Sequence, residues 1–320
     1  MSHAITSRHQ TGNEVAELTA SVQNYLRSSA APATIRAYRS DWACFEGWCQ
    51  TMGAAALPAA PATVATFISS RADRQERAVT IERRLAAIAK AHKVAGLESP
   101  TRSTVVRETM KGIRRTLGTA STKKDALVTA RLLTLLATTG TNLLGARDRA
   151  VLSVGFVAGL RRSEIAALDL EDIRFGVRGV LMNLKRSKTD QEGAGRGVEI
   201  AATGLPTCPV AALRSWIEAA GIEGGPLFRE LDRSGTRLQP GRMGAGAVAR
   251  CVQRLAKKAG MGGDFGAHSL RSGFATSAIG AGVAREYVMR QGGWNSERIM
   301  RGYVRAAEEF SLNYSAALGL

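Results

Sequence analysis

Long apolar runs are missing from this chain. Its most apolar stretch, Ala150 to Leu160, is about half of the ~20 residues that a helix needs to span a bilayer, which excludes a transmembrane helix. Cysteine is scarce. The four present (Cys44, Cys49, Cys208 and Cys251) are too few and too scattered for a disulfide framework. Histidine is as scarce, with two of four in the first ten residues, so no Cys–His cluster has zinc spacing. There is no GxxxxGK[ST] loop, which excludes a P-loop ATPase. There is no H-E-x-x-H and no acidic cluster with metal spacing, which argues against a two-metal nuclease. The opening MSHAITSRHQ has no apolar core and does not read as a secretory signal.

What the chain does have is positive charge. Its 320 residues carry 44 basic and 27 acidic side chains, a formal net charge of +17, and the sequence pI is about 10.5. Such an excess points to a polyanionic partner, most often nucleic acid. Most of the cations are arginine, the better bidentate phosphate ligand. Base composition of the genome accounts equally well for Arg over Lys, but not for the excess itself. Residues 1–120 hold 16 basic and 9 acidic groups, and the remainder holds 28 and 18, so both parts are positive. That distribution favours two domains gripping one polyanion over one domain with a basic tail.

The fold class reads as mainly α. Residues 1–20 are polar and unpatterned, a flexible arm. Residues 21–117 form an all-helical domain: a stretch from Ser21 to Arg27; a helix capped near Thr34 with Ile35, Trp42, Phe45 and Cys49 on one face; one carrying Val64, Phe67 and Ile68 after Pro58 and Pro61; one capped by Thr80 with Ile81, Leu85 and Ile88; and one with Val105, Val106, Met110, Ile113 and Leu117. Residues 118–126 are a small, polar, basic linker. Residues 127–305 form a mostly helical α+β domain. Helices span Ala130–Ala137, Arg147–Ala158 and Ser163–Leu168. Strands at Gly179–Leu184 and Val198–Ala201 make a β-hairpin with a long tip, a helix runs from Pro209 to Ile217, and Leu227-Phe228 form a short strand. Helices follow from Ala247, and residues 306–320 are a C-terminal tail.

Without a metal or nucleotide loop, chemistry on a phosphodiester would need cations for the non-bridging oxygens, a nucleophile, and an acid for the leaving oxygen, all from side chains. Arg161 sits at the joint between two helices. His268 and Arg271 are three apart, on one helix face. Trp294 follows a glycine pair and starts a new element. Tyr303 lies nine residues on in the same helix, with Ile299 as core anchor. Lys188 lies at the hairpin tip, with Lys185 as its nearest rival. Each has an ordinary reading alone: a salt-bridged surface arginine, a half-buried packing tyrosine, a solvated edge lysine, a packing histidine.

The set, in order, resembles the tyrosine recombinase (phage integrase) family. The resemblance is carried by AGLRRSEIAALDLEDI, the lysine hairpin, HSLRSGFATSAIGAG and GGWNSERIMRGYVR, with TCPVAALRSWI and GPLFR between them. In the first half it is carried by ATIRAYRSDWACFEGWC and TIERRLAAIAKAHKVAG, and it covers roughly residues 20–310. It implies that 21–117 is a SAM-like core-binding domain and 127–305 a catalytic domain. Tyr303 is then the nucleophile that forms a 3′-phosphotyrosine, and Arg161 and Arg271 clamp the phosphate. Lys188 is the general acid, His268 a base or phosphate donor, and Trp294 an N–H donor to the phosphate. Glu164 supports them without touching substrate. No cofactor is implied, neither metal nor ATP.

The resemblance also implies a double-stranded DNA partner with a specific site, held by a clamp of the two domains. Arg36, Arg39, Arg83, Arg84, Lys90, Arg114 and Arg115 are the candidate phosphate contacts. The tail, with Phe310, Leu312 and Leu318, would pack on a neighbouring subunit in a homotetramer that resolves a Holliday junction. The work would be done in the cytoplasm. Tyr287 reads as packing at core spacing from Val283, Tyr314 as an interface group, and Cys44, Cys49 and Cys251 as core. Two rivals remain. A type IB topoisomerase shares the tyrosine chemistry without strand exchange. A regulator would use ATSAIGAGVAREYVMRQGG as a helix–turn–helix and never become covalently attached to DNA.

Overall fold

The computed structural model describes residues 32–119, 124–185 and 195–307. The expected arm, the Ser21–Arg27 helix, Lys188 and the residues from 308 onward lie outside that range. The chain divides into two compact units, Met1–Thr122 and Lys123–Leu320. Among the described residues no helix is long and apolar enough to cross a membrane.

Among the described residues of the first unit, four α-helices follow one another: α1 (Pro32–Thr51), α2 (Pro61–Asp73), α3 (Ala78–Val94) and α4 (Thr104–Leu117). Pro61 opens α2 at a position where a missing N–H costs nothing. The helices bury Phe45, Phe67, Ile68, Ile81, Ile88, Val106 and Met110 in one core. Phe67 is its hub, with Phe45 at 5.0 Å and Trp48 at 5.4 Å, both edge-on. Buried His92 bridges Ile88 O and the Ala59 N–H, each at 2.9 Å, so it is a packing histidine with both ring nitrogens satisfied. The expected caps are corrected: α1 and α3 begin before Thr34 and Thr80, so both threonines lie inside helices. Val105 is exposed, because Val106, Met110 and Ile113 take the inner face of α4.

The second unit is built around α6 (Leu143–Val157), preceded by α5 (Thr129–Ala137) and followed by the short α7 (Arg162–Ala167). The side chain of Asn142 caps α6 by accepting from the Gly145 N–H at 3.0 Å. Ala150, Val151, Leu152, Val154 and Phe156 are all buried, which makes α6 a central helix, apolar on several sides. An antiparallel sheet in the order β1 (Ile173–Gly176), β2 (Gly179–Leu184), β3 (Arg196–Ala201) presents Val180, Met182, Leu184, Val198 and Ile200 to the same core. Its register pairs Met182 with both Ile173 and Val198. Helix α8 (Pro209–Ala219) buries Trp216, whose indole N–H donates to Leu227 O at 2.8 Å.

A second pair of strands, β4 (Arg229–Leu231) and β5 (Leu238–Arg242), precedes α9 (Ala245–Lys258). The expected strand at Leu227-Phe228 is therefore corrected by two residues; those side chains are fully buried core instead. Helices α10 (Ala267–Gly280), α11 (Arg285–Gly292) and α12 (Glu297–Ala307) close the unit. The segment before α5 lies across α10, with the Leu127 N–H donating to Ser269 O at 2.9 Å. Gly273 permits this approach, since a Cβ there would meet Leu127 O at 2.0 Å. Tyr287 and Val283, expected to pack, are both exposed, because Val288 is the residue that α11 buries. Ile299 is exposed too, and Met300 and Val304 anchor α12 instead. Cys49, Cys208 and Cys251 are buried, while Cys44 is only partly so.

Candidate active site

The turn between α6 and α7 aims the first cation. Gly159 adopts φ +57°, Leu160 is buried, and Arg161 lies at the N-cap of α7. Glu164, one turn on, reaches back: its carboxylate accepts from the Arg161 backbone N–H at 2.9 Å and from Arg161 Nη1 at 2.6 Å. A nearly fully buried carboxylate thus fixes both the backbone and the side chain of Arg161.

Arg271 comes from α10 and is 2% exposed. Its Nη1 donates to the carbonyls of Gly159 and Gly292, and among the described residues its buried Nη2 has no hydrogen-bond partner. Its guanidinium carbon lies 3.8 Å from the ring centroid of Trp294. Trp294 stacks on Phe274 at 6.4 Å and meets Tyr303 edge-on at 5.5 Å. It lies in the loop between α11 and α12 rather than on the helix of Tyr303. The preceding glycines are required. A Cβ on Gly292 would fall 1.9 Å from the Trp294 ring, and Gly293 has φ +65°.

The structure brings Arg161, Glu164, Arg271, Trp294 and Tyr303 together and adds a residue the sequence pattern did not single out. Arg196, the first residue of β3, donates through Nη1 to Gln291 O and places Nη2 3.5 Å from Glu164 Oε2. An isolated arginine between glycines carries no motif, so no signal in the sequence marks it. Burial, followed by the nearby Arg161, lowers the Arg271 pKa to about 10, against the pull of Glu164. Burial also lowers that of Arg196. Burial raises the Tyr303 phenol above its usual value, opposed by Arg271, a hydrogen bond with Trp294 and Arg161.

His268 is exposed on the first turn of α10. Lys188 is outside the described residues. Its rival Lys185 bonds Asp172 at 2.7 Å, and that bond raises its pKa. On the first unit Arg36, Arg39, Lys90 and Arg115 are exposed. Arg83 is paired with Asp41 at 2.6 Å and Arg114 with Glu82 at 2.5 Å. Arg84 is largely buried, paired with Glu76 at 3.0 Å and 3.6 Å from Asp41. Among the described residues no three His, Cys, Asp or Glu side chains group so as to hold a metal ion. Chemically, the cluster is a cationic cradle with a phenol beside it, in which Arg271 Nη2 and Arg196 Nε and Nη2 are buried without a hydrogen-bond partner among the described residues; it is suited to a phosphoryl oxygen and attack by oxygen.

The model of the phage integrase family matches residues 126–309, and that of the phage integrase N-terminal SAM-like domain matches residues 22–98. An integrase/recombinase XerD homolog from Selenomonas ruminantium is 34% identical over 302 residues, covering 92% of this chain and 88% of that one. The Cre recombinase of Escherichia phage P1 is 26% identical over 286 residues, covering 81% and 79%. In fold, the chain is similar to a lambda integrase dimer bound to a COC′ core site (TM-score 0.61, 15% identity, 98% of this chain and 84% of that one). It is also similar to the XerH site-specific recombinase bound to difH substrate (TM-score 0.57, 19% identity, 82% and 72%).

Proposed function

The chain belongs to the phage integrase family and is a tyrosine site-specific recombinase, an enzyme that cleaves and rejoins DNA; from that premise we propose that Tyr303 is its nucleophile. The Tyr303 oxygen attacks the scissile phosphorus, forming a 3′-phosphotyrosine and releasing a 5′-hydroxyl. His268 takes up the phenol proton, and Lys188 protonates the leaving 5′ oxygen. Arg161 and Arg271 hold the non-bridging oxygens, and Trp294 lies against the Arg271 guanidinium. One phosphodiester bond is exchanged for another, so rejoining by a 5′-hydroxyl requires neither ATP nor metal. Lys185 is a poorer acid, because Asp172 stabilises its ammonium.

The observation that carries this reading is the buried Nη2 of Arg271 beside Tyr303, without a hydrogen-bond partner among the described residues, a donor that a phosphate oxygen would satisfy. The double-stranded DNA partner is supported by the relatives solved with DNA and by the +17 charge. In this reading residues 21–117 and 127–305 close on one duplex through the 118–126 linker. Four copies then exchange strands through a Holliday junction inside the cell. The tail would couple neighbouring subunits. An apolar groove of about 870 Å³, lined by Phe175, Leu181, Val283 and Tyr287 with Arg174 and Arg178, supports a receiving surface for it.

The test is covalent capture from a library of nicked duplexes with randomised arms, in EDTA and without ATP. The expected result is a protein–DNA adduct with a common site sequence. Arg161→Ala and Arg271→Ala should each slow its formation by roughly 100-fold or more while DNA binding remains. Near-parental adduct formation by either variant would refute its role on the phosphate.

A further inference from the structure

We propose that Arg196 is a positioning residue of the cleavage site, tying the start of β3 to the Glu164 carboxylate and to the end of α11. The inference rests on the reading that Arg161 and Arg271 grip the phosphate. Three arginines from three elements meet three successive carbonyls: Arg196 at Gln291 O, Arg271 at Gly292 O and Arg161 at Gly293 O. These carbonyls terminate α11, where the helix leaves its acceptors unsatisfied and its dipole favours cations. Trp294 follows immediately. Whatever fixes this backbone therefore fixes the indole under Arg271.

Two further contacts define what Arg196 does. Its guanidinium packs against the chain at Gly293, where a Cβ would lie 2.8 Å from Nε. The Glu164 carboxylate, meanwhile, faces two cations: Oε1 accepts from Arg161 Nη1, and Oε2, which accepts the Arg161 backbone N–H, lies 3.5 Å from Arg196 Nη2 as an ion pair rather than a hydrogen bond. With Arg196 present, the one buried carboxylate is shared between two cations, and Arg161 keeps net positive charge toward a phosphate. Without it, Glu164 would neutralise Arg161 alone, and the end of α11 would lose one of its three ties. Arg196 does not need to touch the substrate for either effect.

The test uses full-length protein and a DNA site recovered by covalent capture, in single turnover at saturating DNA. Arg196→Gln should cleave roughly 10- to 100-fold more slowly in the bound state, the loss expected for a charge-assisted contact. Its DNA affinity should stay within about 3-fold, because non-specific affinity comes from the many other phosphate contacts. Adding Glu164→Gln should recover part of the lost rate, a sign of charge compensation that a packing role would not give. Arg196→Lys should fall between, keeping the charge without the planar fork.

Bound-state cleavage by Arg196→Gln within about 3-fold of parent, or a double variant no faster than the single, overturns the proposal. If Arg196→Gln lacks the parental near-ultraviolet circular dichroism, Arg196→Lys decides by the same split between binding and cleavage. A parental cleavage rate in that variant then overturns the proposal. Arg161→Ala runs alongside as a control. Active Arg161→Ala refutes the phosphate clamp itself, whereas inactive Arg161→Ala with active Arg196→Gln refutes only the part given to Arg196.

Discussion

Tyr303 is poised between two opposing effects. Burial stabilises the neutral phenol and raises its pKa, while the Arg271 and Arg161 cations and the Trp294 hydrogen bond favour the phenolate. Removing Arg271's charge without opening the site to water should therefore raise the Tyr303 pKa further. Arg271→Met is the suitable variant, and ultraviolet titration of the phenol in variants carrying or lacking Tyr303 checks it. A Tyr303 pKa unchanged or lowered in Arg271→Met would mean that the cation does not act on the phenol. At this scale much of the site was legible in the sequence, since Arg161, Arg271, Trp294 and Tyr303 form an ordered signature in which Glu164 has a capping position. Arg196 was not legible. Its role comes from the place where the start of β3 meets the end of α11, a tertiary fact that no local pattern encodes.

At the scale of elements, the loop between α11 and α12 sets the geometry of the site. Gly292→Ala would drive a Cβ into the Trp294 ring, 1.9 Å away, so the indole must leave its place under Arg271. The expected outcome is loss of cleavage by at least about 10-fold with DNA binding retained, measured on the captured site. A variant as active as the parent would show that the indole position is immaterial. The same loop explains where sequence reading lost the helical phase. Treating Trp294 and Tyr303 as one helix makes Ile299 an anchor. Because α12 begins only at Glu297, Met300 and Val304 face inward instead. The long helices with strong periodicity, such as α4 and its Val106, Met110 and Ile113, were readable. The four-residue β1 was not, because it is too short to show alternation.

At the scale of the whole molecule, the chain is two compact units with separate hydrophobic cores. Phe67 is fully buried at the hub of the first, so Phe67→Ala should cost about 3–5 kcal/mol there. Calorimetry should show one unfolding transition moving down while the other stays in place. A single transition that moves as a whole would mean that the units unfold together. The charge excess belongs to this scale as well. Arg36 and Arg39 are exposed, and if each neutralises one phosphate, Arg36→Ala and Arg39→Ala should each flatten the salt dependence of binding by ~0.9 in log–log slope. An unchanged slope would remove them from the interface. Arg84, held between Glu76 and Asp41, should leave the slope unaltered when substituted.

The central claim is that DNA becomes covalently joined to Tyr303. The most direct measurement is digestion of the captured adduct followed by mass spectrometry of the nucleotide-bearing peptide. The expected result is a single modified residue, Tyr303, joined to a 3′-phosphate, with Tyr303→Phe binding DNA but yielding no adduct. A nucleotide mapped to any other residue, or an adduct that survives Tyr303→Phe, would contradict the account.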